Sequence, residues 1–265
     1  MRRNWFWGLV LLLVGAVLLL DNLGYLNFLG VSVWRIIWPL ALIGLGIWFL
    51  VGVRSASTET RELTVEHEGT EEAELHMDYG AGEIRVEASQ GAAELLTGTF
   101  EGGVTERVER SGGRARIWLS SPAVSIIWPW FWTQGTHRRW HVRLSPDVPL
   151  ALSVKTGASD CRLNLRELQV RHLRIDSGAS SLEVTLPARA GMTEVRGSSG
   201  AASVVLRVPE GVAARIRTSG GLSSTSVDRR RFPRQGGAYQ SPDYETAENR
   251  VDIQLQIGVG SIEVR

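Results

Sequence analysis

A seven-residue phrase that returns in one register constrains this chain more than any other feature. Gly157-Ala158-Ser159-Asp160-Cys161-Arg162-Leu163 recurs as Gly178-Ala179-Ser180-Ser181-Leu182-Glu183-Val184 and as Gly200-Ala201-Ala202-Ser203-Val204-Val205-Leu206. The interval is about 21 residues, in the range that marks stacked solenoids. An upstream copy, Gly80-Ala81-Gly82-Glu83-Ile84-Arg85-Val86, and a closing copy, Gly258-Val259-Gly260-Ser261-Ile262-Glu263-Val264, share the pattern.

Four residues after each leading glycine stands Ile84, Cys161, Leu182, Val204 or Ile262, and two further on Val86, Leu163, Val184, Leu206 or Val264. This period of two is strand spacing with one face buried. The register therefore stacks Leu182 and Val184 between Cys161/Leu163 and Val204/Leu206. The small residues opening each copy suit a corner where backbones approach closely and where glycine is free to take a positive φ. Shorter alternating runs between copies (Leu168/Val170, Leu173/Ile175, Val212/Ala214/Ile216) give each coil two or three strands. The fold expected is all-β, a single-chain β-solenoid resembling a parallel β-helix.

Residues 1–53 depart from this composition, being almost wholly apolar. Arg2 and Arg3 precede an apolar run from Trp5 to Leu20, which ends in Asp21-Asn22-Leu23 with no small-x-small cleavage site. A second apolar segment runs from Ile36 to Val53. A two-helix transmembrane hairpin over residues 1–54 is the economical reading. Its first helix spans roughly 24 Å at about 1.5 Å per residue, with Trp5 and Trp7 at the interface. Gly8, Gly15, Gly44 and Gly46 permit close helix contact. Arg2, Arg3, Arg54 and Arg61 lie on one side, whereas Asp21 and Arg35 cancel in the connecting loop, so the positive-inside rule places both ends in the cytoplasm. The solenoid, residues 61–265, follows the polar link Ser55–Thr60.

Within that domain, Arg61 to Val86 reads as the first coil. Leu95 to Leu119 reads as hairpin strands broken by Gly102-Gly103 and Ser111-Gly112-Gly113. An aromatic insertion near residues 120–140 contains Ile126-Ile127-Trp128-Pro129-Trp130-Phe131-Trp132. Pro129 cannot donate a ladder hydrogen bond, which suits an excursion or edge rather than an inner strand. Large aromatics bury about 150–250 Å² each, so an exposed run needs a binding reason, while a folded one would cap the stack. We take Trp128, Trp130, Phe131 and Trp132 as candidate contacts for the bilayer or a partner. A loop near residues 228–250 contains Arg229, Arg230 and Arg231, candidate contacts for anionic lipid or an acidic partner.

The chemistry-bearing residues point away from catalysis. The outward position between the two apolar ones holds Arg85, Arg162, Glu183, Val205 and Glu263, which is no acidic stack for work on a glycosidic bond. Ser159, Ser180 and Ser203 recur near the corners without a histidine at matching spacing, as a hydrogen-bonding ladder would. His137 and His141 would lie about 13 Å apart on a strand, too far to share a metal. Cys161 is the only cysteine and replaces Leu or Val in the register, which makes it a buried apolar residue. No cofactor or metal site is expected. A net charge of +1 excludes a nucleic-acid-sized basic field.

The chain resembles the LiaF-like membrane proteins of bacterial cell-envelope stress systems. Asp21-Asn22-Leu23-Gly24 and Trp38-Pro39-Leu40, followed by Gly44 and Gly46, look like their N-terminal membrane region. The Gly-Ala-Ser copies and the ending Asn249-Arg250-Val251-Asp252-Ile253 to Gly258-Val259-Gly260-Ser261-Ile262 resemble the toastrack β-solenoid domain. Two features lie outside that pattern: a single hairpin where LiaF resembles a four-helix arrangement, and the Trp128–Trp132 run. The resemblance implies a non-enzymatic regulator or scaffold of the inner membrane that is multi-pass and often associated with a histidine kinase or another envelope-stress membrane protein. A homo-oligomer assembled through solenoid ends is the rival role, and a polysaccharide-processing β-helix a remote third.

Overall fold

The computed structural model describes residues 60–91, 93–122 and 138–265. The expected membrane hairpin, the Trp128–Trp132 run and His137 lie outside them. The described residues contain no helix, so none is long and apolar enough to cross a membrane.

The strands are β1 (Thr60–Glu66), β2 (Glu72–Ala88), β3 (Glu94–Glu101), β4 (Thr105–Ser111), β5 (Arg114–Ser120), β6 (Arg139–Leu144) and β7 (Leu150–Asn164). They continue as β8 (Val170–Thr185), β9 (Met192–Arg207), β10 (Ala213–Val227), β11 (Arg234–Gln235), β12 (Ala238–Gln240) and β13 (Arg250–Val264). Six long strands stack in parallel in the order β2-β7-β8-β9-β13-β10. Each is one rung.

A change of phase shows how a rung encloses a core. In β7 Leu150, Leu152, Val154 and Thr156 are buried, and then Cys161 and Leu163. Thr156 and Cys161 are five positions apart, an odd number, so a flat strand would place them on opposite faces. Both are buried because the rung bends at Gly157-Ala158, turning the inner faces of its two arms toward each other. In β8, Ile175 before the bend and Leu182 after it line the same small interior space. The expected stacking holds: Cys161, Leu182, Val204 and Ile262 are register neighbours, as are Leu163, Val184, Leu206 and Val264. All eight are buried.

Glycine heads each bend because of close approach. A Cβ on Gly157 would lie 2.6 Å from the Gly80 carbonyl oxygen, one on Gly178 2.7 Å from that of Gly157, and one on Gly200 2.9 Å from that of Gly178. None of these glycines has a positive φ, contrary to the conformational part of the expectation. Left-handed geometry falls two residues later, at Gly82 and Gly260 in the end copies.

The stacking order departs from the sequence. The closing copy, β13, lies between β9 and β10, so the last long strand in the chain is the next-to-last rung. β10 is a sixth copy that the sequence pattern missed. Its Gly221-Leu222 continues the column through Gly258-Val259, but Thr225 occupies the position where other rungs carry Ile, Leu, Val or Cys.

At the other end β1 pairs antiparallel with β3, so Arg61 to Val86 is not one coil, and β2 alone forms the first intact rung. Of the expected hairpins, β4 and β5 form one, turning through Gly112 and Gly113, both at positive φ. β3 pairs instead with β1 and β6. The serines bond partly across the bend, Ser159 to Thr156 (2.8 Å) and Ser180 to Ser177 (2.8 Å), and partly between rungs, Ser177 with Ser199 (2.6 Å) and Ser203 with Ser261 (3.2 Å).

Candidate interaction surface

β5 and β6 are two halves of one broken rung. β5 runs in register with the first arm of β2, Glu72 opposite Arg114 through Asp78 opposite Ser120. β6 runs in register with the second arm, Glu83 opposite Arg139 through Ala88 opposite Leu144. Where an intact rung would bend beside Gly80, β5 ends at Ser120 and β6 begins at Arg139, and residues 123–137 between them lie outside the described residues. The tryptophan run falls in this interval of sequence, outside the described residues.

The described residues on either side of that interval, its two roots, are each hydrogen-bonded to β2. The Ser121 backbone N–H donates to the Asp78 carbonyl (2.9 Å). The Arg138 carbonyl accepts from the Glu83 N–H (2.9 Å) and from the Tyr79 hydroxyl (2.7 Å). Gly82 makes room for this junction: a Cβ there would meet the Arg138 carbonyl oxygen and the Tyr79 hydroxyl, each at 2.3 Å. Behind it the Trp140 ring is fully buried, tilted against Tyr79 (centroids 4.7 Å apart) and edge-on to Phe100 (5.2 Å). Burial pushes the Tyr79 phenol up to about 12, so it acts as a neutral hydrogen-bond donor.

Charge around the roots is ordered by one carboxylate. Glu83 accepts from Arg85 (2.7 Å), Arg139 (3.0 Å) and Arg162 (3.0 Å). The hydrogen bonds from Arg85 and Arg139 hold its carboxyl below the usual range. Another groove, on the first arms of the later rungs, gathers Arg174, Arg196 and Arg217. Each arginine there has its own carboxylate: Asp176 (2.8 Å), Glu194, and Asp252, which Arg217 meets at 2.7 Å through both oxygens. Two of these pairs each lie within one strand and Arg217–Asp252 joins β10 to β13, so the groove is self-neutralised and leaves little net charge for a ligand. None is announced by a motif: Arg174–Asp176 and Glu194–Arg196 are two apart on the outer face of a strand, and Arg217–Asp252 are 35 positions apart on neighbouring strands.

Of the residues singled out from sequence, Trp128, Trp130, Phe131 and Trp132 lie outside the described residues, and only their roots are placed. Arg229 and Arg230 are exposed. Arg231 turns inward, donating to the carbonyls of Val208 (2.8 Å) and Pro209 (3.0 Å), with its guanidinium over the buried Phe232 ring. The structure therefore divides the three-arginine run into two solvent-facing cations and one that ties the loop to the stack. His141 is bonded to Glu87 (2.8 Å). The outward column Arg85, Arg162, Glu183, Val205, Glu263 is in register as read. Among the described residues no three His, Cys, Asp or Glu side chains are placed to hold a metal ion. Cys161 is buried, and burial pushes its thiol up to about 12, the behaviour of a core residue.

Comparison with known proteins agrees with this geometry. The family model for the N-terminal domain of toast_rack matches residues 54–207, and that for the LiaI-LiaF-like transmembrane region matches residues 5–50. No curated protein matches the chain. Among solved structures, a candidate cell adhesion protein from Clostridium sporogenes shares the fold with a TM-score of 0.70 at 16% identity, covering 78% of this chain and 99% of its own. A candidate adhesin from Bacteroides fragilis has a TM-score of 0.32 at 10% identity, covering 80% of this chain and 98% of its own.

Proposed function

Because this chain belongs to the toast_rack family, whose N-terminal domain accounts for residues 54–207, we propose that it is a non-enzymatic scaffold of the bacterial inner membrane that takes part in envelope-stress regulation. Residues 1–54 serve as a two-helix, multi-pass anchor; the LiaI-LiaF-like transmembrane match over residues 5–50 supports a membrane region there. The stack of rungs lies on the cytoplasmic side. Its partner is a histidine kinase or another envelope-stress membrane protein, together with the bilayer itself.

The observation that carries this reading is the broken rung. A solenoid rung needs no interruption, yet here one is divided between β5, ending at Ser120, and β6, beginning at Arg139, and the residues flanking the break are hydrogen-bonded to β2 beside the buried Tyr79 and Trp140. Such a base suits the presentation of Trp128, Trp130, Phe131 and Trp132 to a membrane surface or partner, since binding segments are commonly carried on loops held by a rigid scaffold. Exposed Arg229 and Arg230 add cationic contacts at the loop.

The double variant Trp130→Ser, Trp132→Ser of the full chain tests the role of the segment. Its melting temperature should stay near that of the parent, while the protein recovered with it after cross-linking in membranes is lost. A large fall in melting temperature with recovery unchanged would make the segment a cap over the stack.

A further inference from the structure

We propose that the free edge of β10 is a self-association surface, through which two copies of this chain pair antiparallel along Arg217–Val227 about a two-fold axis at Leu222. This goes beyond the scaffold role and does not depend on the tryptophan segment.

β10 is fully paired with β13 on one side, from Ala213 to Val227. On the other side only Arg215 and Ile216 are paired, with Gln240 and Tyr239 of β12. From Arg217 to Val227 the outward backbone groups have no strand partner among the described residues. An open edge is a template for pairing, and proteins that must avoid it place charges or proline there. The outermost strands at the opposite end do so: β1 carries Arg61, Glu62 and Glu66, and β4 carries Glu106, Arg107, Glu109 and Arg110. β10 does the reverse, with neither a charged residue nor a proline from Thr218 to Val227. The one charge in the run, Arg217, is neutralised by Asp252, and about an axis at Leu222 it faces Val227 rather than its own copy, so no like charges meet.

The side chains name that copy as the occupant. The exposed corner position after the glycine is Ala81, Ala158, Ala179 and Ala201 in four rungs, then Val259 and Leu222 at the β10 end. Leu222 is 80% exposed and Val259 53%. Large apolar side chains thus stand on this corner only next to the free edge, and Leu222 is the midpoint of the unpaired run. The bend lies at that midpoint. Rotation about an axis through it exchanges the two arms of a rung and reverses the stacking direction, so the first arm of one copy meets the second arm of the other. Such an interface is self-complementary, with the two Leu222 side chains adjacent on the axis. The paired run of Arg217–Val227 is about 36 Å long at about 3.3 Å per residue. Its inward positions Thr218, Thr225 and Val227 are half-buried over the buried Leu255, Ile262 and Val264.

The full chain in detergent micelles tests this. Leu222→Cys should form a disulfide-linked dimer under mild oxidation, whereas Ala158→Cys, in the same corner column but rungs away, should not. Cys161 is buried and stays in place, with free thiols blocked before denaturation. Leu222→Lys opposes like charges on the axis and should weaken self-association, read by light scattering, by about tenfold or more, with an unchanged melting temperature. Monomers at every concentration, with no disulfide formed by the Leu222→Cys variant, would overturn the proposal and would point to a different strand on this edge. Dimers that survive Leu222→Lys and cross-link equally at position 158 would also overturn it, placing the contact elsewhere.

Discussion

At the scale of single residues, the glycine column sets how closely rungs can stack. Gly178 faces the Gly157 carbonyl oxygen so that an added Cβ would lie 2.7 Å from it, with backbone as the neighbour, which cannot swing aside as a side chain can. Gly178→Ala should therefore cost about 1–3 kcal/mol in urea unfolding. Ala179→Ser, one residue further on and exposed, should change stability by less than about 0.5 kcal/mol. Equal effects at the two positions would mean that the corner has room to spare. The glycines were plain in the sequence, but their reason was not: a positive φ and a close carbonyl both demand glycine, and only coordinates separate them. The alternation that places Leu182 between Cys161 and Val204 was fully legible, because period-two burial is a local property of a strand.

Elements are where sequence reading ran out. Copies of one phrase fit one another in any order, so nothing in the repeat announces that β13 inserts between β9 and β10. Nor did β10 declare itself, since a terminal rung is released from the apolar rule and carries Thr225 where the others are apolar. The broken rung was hidden for a related reason. β5 and β6 each look like an ordinary short strand, and only their shared register with β2 shows that they are halves of one element. The inserted rung makes a prediction. A chain ending at Asn249 lacks β13, leaving β9 and β10 without the strand that joins them, so hydrogen exchange should show loss of protection across Ala213–Val227 while the β2–β7 pair stays protected. Retained protection in β10 would show that it pairs directly with β9 and that the interposed strand is dispensable.

For the whole molecule, composition already separated an apolar segment over residues 1–53 from a polar repeat, and the family matches fall on the same two parts. Orientation rests on four arginines, Arg2, Arg3, Arg54 and Arg61, and is open to direct test. In a Cys161→Ser background, a cysteine placed in the Asn22–Ser32 loop should react with an impermeant reagent outside intact cells, and one in the Ser55–Thr60 link should not. The reverse pattern would put the stack outside and remove a cytoplasmic kinase domain from its reach. The tryptophan run was legible as an interruption; that it divides one rung, with Arg138 on its far side held by Tyr79, was not, because Tyr79 lies about 60 positions upstream of Arg138 in sequence. The central claim is that this segment faces a partner or the bilayer. It is tested most directly by a photo-reactive benzoyl-phenylalanine at position 131 of the full chain in its own membrane, with the same group at exposed Arg189 as control. The account predicts adducts to lipid or to a second protein from position 131 and none of the same kind from 189; adducts confined to the chain's own rungs would contradict it.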